Sequence, residues 1–454
     1  MTPRAYPPGP STLEAIRGMA AGGDLSRIPG FLDATAQRFG PIASWRMPRG
    51  RFWFLDDAAS IEELLTASGF DVVKGRGLRR MRRLLGVGLL TSDEPLHLRQ
   101  RRLVQPAFHR ERIAGYAATM IDLSRQAAES VRPGETVDVA ALMNRLALRI
   151  AAATLFSADV DDDADAIGAA VTEAMDVFPA SLSAFGELLD HLPFHPATRR
   201  FTAARAQLDA VIFRLVRERR ADGIDRGDLL SILLSSTDEE GAAMPDDLVR
   251  DEALTLLLAG HETTANALAW AWDFLSRDAE VAARLGAELD AVLGDRDPVA
   301  ADYQNLRYAR DVIAETMRLR PPAWILGRRV IRPFRLGAWT LPPGSVVLAS
   351  QLVTHRNPRY WKEPDAFRPE RWSTGETETL PRYAYFPFGG GNRICIGESF
   401  AWTEAVLVLA TLARRLRFEA IDRSPVPLDP LVTLRPGRPL RMRAVPVRPV
   451  PAPA

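Results

Sequence analysis

The 454-residue chain holds a single cysteine, Cys395, within the run Phe388-Gly389-Gly390-Gly391-Asn392-Arg393-Ile394-Cys395-Ile396-Gly397. One thiol forms no internal disulfide, no cysteine-rich zinc site and no ordinary iron–sulfur cluster. It can serve as the one axial thiolate of a haem. Glycines carry no Cβ, so those around it would let the backbone approach a flat macrocycle. Backbone N–H groups aimed at the sulfur would hold it as thiolate. Such a ligand pushes electron density onto iron and favours O–O cleavage. A lone cysteine in a glycine-rich turn is otherwise a buried structural residue, so the surrounding pattern has to decide.

Composition excludes more than it identifies. A net charge of +1 gives no whole-molecule field for nucleic acid or membrane, and 47% hydrophobic with 25% charged residues is ordinary for a globular protein. The first residues, MTPRAYPPGPSTLEAIRGM, contain neither a signal-peptide core nor a spanning segment, and apolar runs such as 405–413 are too short to span. A soluble, cytoplasmic, monomeric protein is expected, with a peripheral membrane contact as one route to a lipophilic substrate.

Apolar residues recur at helix spacing over 113–131, 137–156, 197–221, 248–275 and 398–416. Strand-like stretches are few: 52–55, 345–350 and 440–447, the last two bounded by Pro342-Pro343-Gly344 and Pro436-Gly437-Arg438-Pro439. From residue 327 to 391 proline and glycine cluster, which predicts a wound, mostly irregular segment. The expectation is a mainly α single domain with small β-sheets over 1–454, opening with an extended segment over 1–20 and closing with a disordered tail over 446–454.

A second signal is Ala259-Gly260-His261-Glu262-Thr263-Thr264, inside an apolar helical run. A mid-helix glycine costs about 1 kcal/mol relative to alanine, and Thr263 can bond back to the carbonyl four residues earlier and bend the helix. Gly260 and Thr263 together could open a groove, and Glu262 beside Thr263 supplies an acid and an alcohol to move protons in a dry pocket. His191 and His195 are four apart, but Pro193 and Pro196 disrupt the helix that would align them as metal ligands.

The pattern Phe-x-x-Gly-x-Arg-x-Cys-x-Gly resembles the haem-binding loop of the cytochrome P450 superfamily at every fixed position, and 259–264 resembles that family's central-helix motif. The resemblance covers nearly the whole chain. It implies the single-domain cytochrome P450 fold and haem b axially ligated by Cys395, with Phe388, Gly397 and Ala259 around it. Glu262 and Thr263 become the catalytic pair. Glu315, Arg318 and Arg371 (in Pro369-Glu370-Arg371-Trp372) become a buried structural triad. The same Glu-x-x-Arg spacing at Glu14…Arg17 and Glu129…Arg132 needs only solvated helix pairs. Two propionates call for converging cations: His97 and Arg101, four apart on one helix face, Arg393, and Arg328, with Arg329 as its alternative.

Lys74, Arg76, Arg79, Arg80, Arg82, Arg83, Arg99 and Arg102 form a local positive excess, read as a solvated surface or a dock for an acidic electron donor. Nucleic acid is a poor explanation without interleaved aromatics. No flavin or ferredoxin module follows the haem loop, so the expected donors are a separate ferredoxin with its reductase, or a flavodoxin. Segments 321–329 and 341–344 resemble a soluble bacterial subgroup that includes fatty-acid and carotenoid-ring hydroxylases. The family layout makes Leu89, Leu90, Phe178, Phe185, Leu258, Ala259, Ile325, Leu326 and Thr433 candidate pocket residues, nearly all apolar and suited to a lipophilic substrate. The implied activity is monooxygenation of a C–H bond with O2, by hydroxylation, ketolation or desaturation, on a carotenoid, another terpenoid or a fatty acid. The alternative is a non-enzymatic haem-thiolate protein that senses a gas or carries a lipid, but such a binder needs no acid–alcohol pair. With Cys395 as ligand, the ferrous–carbon monoxide Soret band should lie well to the red of a histidine-ligated haem, and Cys395→His should abolish that spectrum; a variant that keeps it rules the ligand out.

Overall fold

A computed structural model describes residues 6–19, 25–48, 50–158, 164–182 (backbone alone from 178), 194–237, 241 and 243–447. In chain order the principal helices are α1 (Thr12–Met19), α2 (Ile28–Phe39), α3 (Ala58–Thr66), α4 (Leu96–Val104), α5 (Arg110–Glu129), α6 (Val139–Phe156), α7 (Ala164–Leu182), α8 (Pro196–Asp222), α9 (Leu229–Ser235), α10 (Asp246–Arg277), α11 (Ala279–Leu293), α12 (Arg307–Leu319) and α13 (Glu398–Ala413). The strands are β1 (Ile42–Met47), β2 (Gly50–Leu55), β3 (Val72–Lys74), β4 (Thr136–Asp138), β5 (Leu326–Val330), β6 (Phe334–Leu336), β7 (Trp339–Leu341), β8 (Val346–Ala349), β9 (Leu416–Ala420), β10 (Leu428–Pro430), β11 (Leu434–Pro436) and β12 (Arg441–Pro446). The expected mainly helical architecture with small sheets is what the chain adopts.

Helix α10 is the axle. Asp246 and Asp247 sit at its positive end and Arg277 at its negative end, each favourable to the macrodipole. Between them the helix is buried nearly all round, as a helix packed on every side must be. Helices α6, α8, α12 and α13 pack on it, and α5 packs on α13. Helix α6 is the one described helix long and apolar enough to cross a membrane, but most of it is buried in this core. A five-stranded sheet, ordered β1-β2-β8-β5-β3, lies to one side, antiparallel except for β2 and β8. Its register sets Lys74 opposite Arg328. The β10–β11 hairpin touches α10, while β4, β12 and β9 form a third sheet.

Three local expectations change. The segment over 1–20 is not extended throughout: Ser11 and Glu14 exchange side-chain-to-backbone bonds in a capping box that starts α1. Glu14 pairs with Arg38 and Glu129 with Arg125, so neither is spent on the arginine three residues on. Pro446 pairs with Leu416, and the Val447 amide bonds to the Arg415 carbonyl, so 446 and 447 are ordered; residues 448–454 lie outside the described chain.

Glu315, Arg318 and Arg371 do form one buried cluster, each at most 1% exposed. Arg318 grips Glu315 with two bonds (2.8 and 2.9 Å), Arg371 adds one at 2.9 Å and Trp372 Nε1 another at 3.1 Å. Glu315→Ala or Arg318→Ala should cost about 3–5 kcal/mol by stranding a buried charge, so that little folded, haem-loaded protein is recovered. Arg17→Ala should purify with wild-type haem content; equal behaviour of all three would end the structural reading of the triad.

Candidate active site

The loop before α13 has a shape only glycine permits. Gly389 and Gly391 have φ of 73° and 63°. A Cβ on Gly391 would fall 1.9 Å from the Leu65 carbonyl oxygen, and one on Gly390 would fall 2.4 Å from the Tyr383 ring. Gly391 is therefore required by α3, Gly390 by the Tyr383 ring and Gly389 by its positive φ. The Cys395 amide is spent on the Phe388 carbonyl (3.0 Å), which leaves the Gly397 N–H as the backbone group directed at the sulfur. Burial outweighs that one bond and pushes the Cys395 thiol up to about 11. The Gly397 amide favours the thiolate, and a coordinating metal would complete the deprotonation. Although protein crowds around it, Cys395 remains accessible, so its sulfur faces space inside the fold.

Cations gather along one edge of the site. Arg393 donates to the Ser92 carbonyl (2.9 Å) and lies 3.6 Å from Glu94. His97 is buried with Nδ1 3.0 Å from Glu94, and burial with nearby Arg393 and Lys74 lowers it to about 4. Arg101 braces the loop through the Ile394 carbonyl (2.8 Å). Arg328 faces Arg393 and Lys74, whereas Arg329, next along the strand, points to the other side of the sheet. Burial and then Arg393 push the Arg328 guanidinium down to about 10, a mark of cations short of anions. An accessible buried sulfur with a surplus of cations fits a haem: Cys395 would hold the iron, and Arg328, Arg393 and His97 Nε2 would hold the propionates.

On α10, Thr263 Oγ1 donates to the Ala259 carbonyl at 2.8 Å, as its spacing predicts. Ala259 is exposed while Leu258 and Glu262 beside it are buried, so the helix meets an opening there. Gly260 beside it is half-buried, and a Cβ added there would make only ordinary contacts with Leu155 and Ala151 of α6, at 3.8–3.9 Å. Thr264 turns toward buried Glu404 of α13, which burial pushes up to about 8. Among the described residues the Glu262 carboxyl bonds not to Thr263 but to the Thr433 hydroxyl (2.8 Å), and burial raises its pKa.

Of the candidate pocket residues, Leu90, Ile325 and Leu326 are half-buried, Leu89 and Leu258 are buried, the Phe178 side chain and Phe185 lie outside the described residues, and Thr433 is engaged with Glu262. The segment carrying Leu89 and Leu90 is fastened through its backbone. Lys74 Nζ donates to both their carbonyls, Glu252 accepts the Leu89 amide (3.0 Å), Asp251 the Val87 amide (2.7 Å), and Arg82 donates to the Thr91 carbonyl (2.8 Å). Lys74 is thus no part of a solvated patch. Arg79 and Arg82 pair with Asp93, and Arg83 lies over Phe201, while Arg99 and Arg102 stay exposed. Sequence reading missed Glu252 and the buried role of Lys74; a lone lysine at the end of Val72-Val73 and an acid amid leucines were the available signals.

A helical core, small sheets and an accessible sulfur on a glycine loop beside a surplus of cations are the features of a haem-thiolate enzyme. The family model of cytochrome P450 matches residues 7–441, and the chain belongs to that family, whose members bind haem b through a cysteine thiolate. It is an oxidoreductase of the monooxygenase class. Cyclooctatin synthase of Streptomyces melanosporofaciens is 42% identical over 368 residues (79% of this chain, 78% of the relative). From the same organism, cyclooctat-9-en-7-ol 5-monooxygenase is 39% identical over 363 residues (79% and 78%). Pentalenene oxygenase of Streptomyces avermitilis is 34% identical over 369 residues (80% and 81%).

Burial raises Glu252 from 4.5 to about 7, so the folded protein holds a proton there that the unfolded chain has released. The carboxylate burdens the fold above about pH 7 and ceases to do so as pH falls toward 4.5. Glu252→Gln keeps an oxygen for the Leu89 amide. Thermal unfolding should find it more stable than wild type at pH 8, by up to about 3 kcal/mol, with the gain gone near pH 5; a pH-independent difference would contradict this.

Proposed function

We propose that this protein inserts oxygen from O2 into a C–H bond of a cyclic terpenoid, with Glu262 and Thr263 managing protons. When bound, a thiolate-ligated haem supplies the oxygen-activating chemistry. The observation that carries the proposal is the Thr263 hydroxyl beside accessible Ala259 on an otherwise buried helix. Because that hydroxyl gives its proton to the Ala259 carbonyl, its lone pairs remain to accept one, so Thr263 orients a water or other O–H donor at the opening. Glu262, with its pKa raised by burial, keeps its proton more readily than a free carboxyl and is suited to pass it on. The two lie about 100° apart around the helix, so water has to join them.

The terpenoid assignment is supported by the relatives, whose names specify pentalenene and cyclooctat-9-en-7-ol, and by the apolar candidates Leu89, Leu90, Leu258, Ile325 and Leu326. A carotenoid or a fatty acid is the next choice. Electrons are assigned to a separate acidic ferredoxin with its reductase, or a flavodoxin. Exposed Leu98, Arg99 and Arg102 flank Arg101, which braces the cysteine loop, and suit such a dock.

Screening cyclic terpenoids, carotenoids and fatty acids for a low-to-high-spin shift should single out the terpenoids. With the best of them, Thr263→Ala should oxidise reduced nicotinamide at a similar rate in a surrogate ferredoxin system while product falls about tenfold or more and hydrogen peroxide takes its place. Thr264→Ala should change less. Tightly coupled turnover in Thr263→Ala would remove the proton role.

A further inference from the structure

Glu262, Asn266 and Trp270 recur every four residues and so form one stripe of α10. All three bond to the same two residues at the tip of the β10–β11 hairpin. The Thr433 hydroxyl donates to Glu262 Oε1 (2.8 Å), Asn266 Nδ2 donates to that hydroxyl oxygen (3.1 Å), and Trp270 Nε1 donates to the Leu434 carbonyl (3.1 Å). The tip is anchored from its other side as well. Trp324 Nε1 donates to the Leu431 carbonyl (3.0 Å), and the Leu434 amide bonds to the Pro322 carbonyl (2.9 Å). Glu262, Asn266 and Thr433 are each at most 6% exposed, so these bonds are not traded freely with water.

We infer that Thr433 is a positioning residue for proton delivery: held by Asn266, its hydroxyl fixes the Glu262 carboxyl to a rigid hairpin. The inference rests on Glu262 being the proton-handling acid. Its chemistry is that of a hydroxyl whose oxygen is already occupied by an amide donor. Its proton is thereby committed to the carboxyl, the bond favours the carboxylate, and one oxygen of the acid is kept in place. A valine at 433 has nearly the same volume but leaves Glu262 unheld and the Asn266 amide without its acceptor. The charged groups facing Glu262 are Arg435 of β11, which favours the carboxylate, and Asp429 of β10 and Asp176 of α7, which oppose it. Arg435 is itself tied to Asp176 (2.8 Å) and Asp429 (3.1 Å), so its charge is largely offset and the hydroxyl matters the more.

The test uses haem-loaded protein. Thr433→Val should keep wild-type haem content and lose about tenfold in product per electron pair, the worth of one hydrogen bond to a charged group. The pH at which coupling fails should move upward, because the carboxylate has lost a donor. Thr433→Ser should restore both. In a Glu262→Gln background Thr433→Val should change nothing further, since its effect passes through the acid. Infrared spectra, with the Glu262 carboxyl band assigned by its loss in Glu262→Gln, should show that band displaced in Thr433→Val and restored in Thr433→Ser, independently of turnover. Asn266→Ala should act in the same direction but less strongly, and serves if Thr433→Val folds poorly. An unmoved carboxyl band, or equal Thr433→Val losses with and without Glu262, overturns the inference. Should Glu262→Gln stay fully coupled while the band still moves in Thr433→Val, the clip stands as geometry and the acid's role in proton delivery falls.

Discussion

The carboxylate of Glu315 accepts bonds from Arg318, Arg371, Trp372 and the backbone of Arg368, all within the protein. Burying these charges costs several kcal/mol per ion, so an apolar trio would serve stability as well. What an apolar trio could not do is satisfy backbone. The stretch 355–376 has no sheet ladder and only one short 3₁₀ turn, Pro369–Trp372. Its carbonyls at His355, Pro364 and Ala366 are met by Arg318, and those at Lys362 and Glu363 by Arg371. Buried carbonyls left unpaired cost as much as lost hydrogen bonds. Two guanidinium forks, fixed by one acid, stand in for secondary structure where the chain has none. From that stretch the chain runs directly to Cys395: the His355 ring accepts the Phe386 amide, and the Tyr385 hydroxyl bonds to α12.

A complementary imbalance lies on the cation edge. Burial lowers Lys74, Arg328 and Arg393; Arg393 further depresses Lys74 and Arg328, and Arg101 depresses Arg393, while Glu94, Asp93 and Glu252 oppose. Such a cluster is at rest only with anions against it, and the cysteine thiol, neutral when unligated, adds none. Cofactor binding is therefore part of this fold's electrostatic balance.

What sequence could show depended on how far apart the partners lie. Helix α10 and the cysteine loop are local patterns, legible from periodicity and from glycines at fixed spacing. Thr263 bonding to Ala259 is likewise a four-residue relation. Glu262 and Thr433 are 171 residues apart, and no local pattern pairs them, so their bond was not legible. Lys74 looked like surface charge because arginines follow it; it is buried because β3 carries it beside Arg328. That Ala259 is the most exposed residue of this stretch was not legible, because composition does not tell which way round a helix a residue points.

The segment bearing Leu89 and Leu90 is held through its amides and carbonyls, by side chains from elsewhere and by its own Thr91 hydroxyl, and not by the two leucine side chains. On the proposed reading, in which Leu89 and Leu90 face the substrate, fastening and selectivity rest on different atoms. The two leucines could then be exchanged while the fastening groups stay in place, so that the same frame would accept another hydrocarbon skeleton without repair.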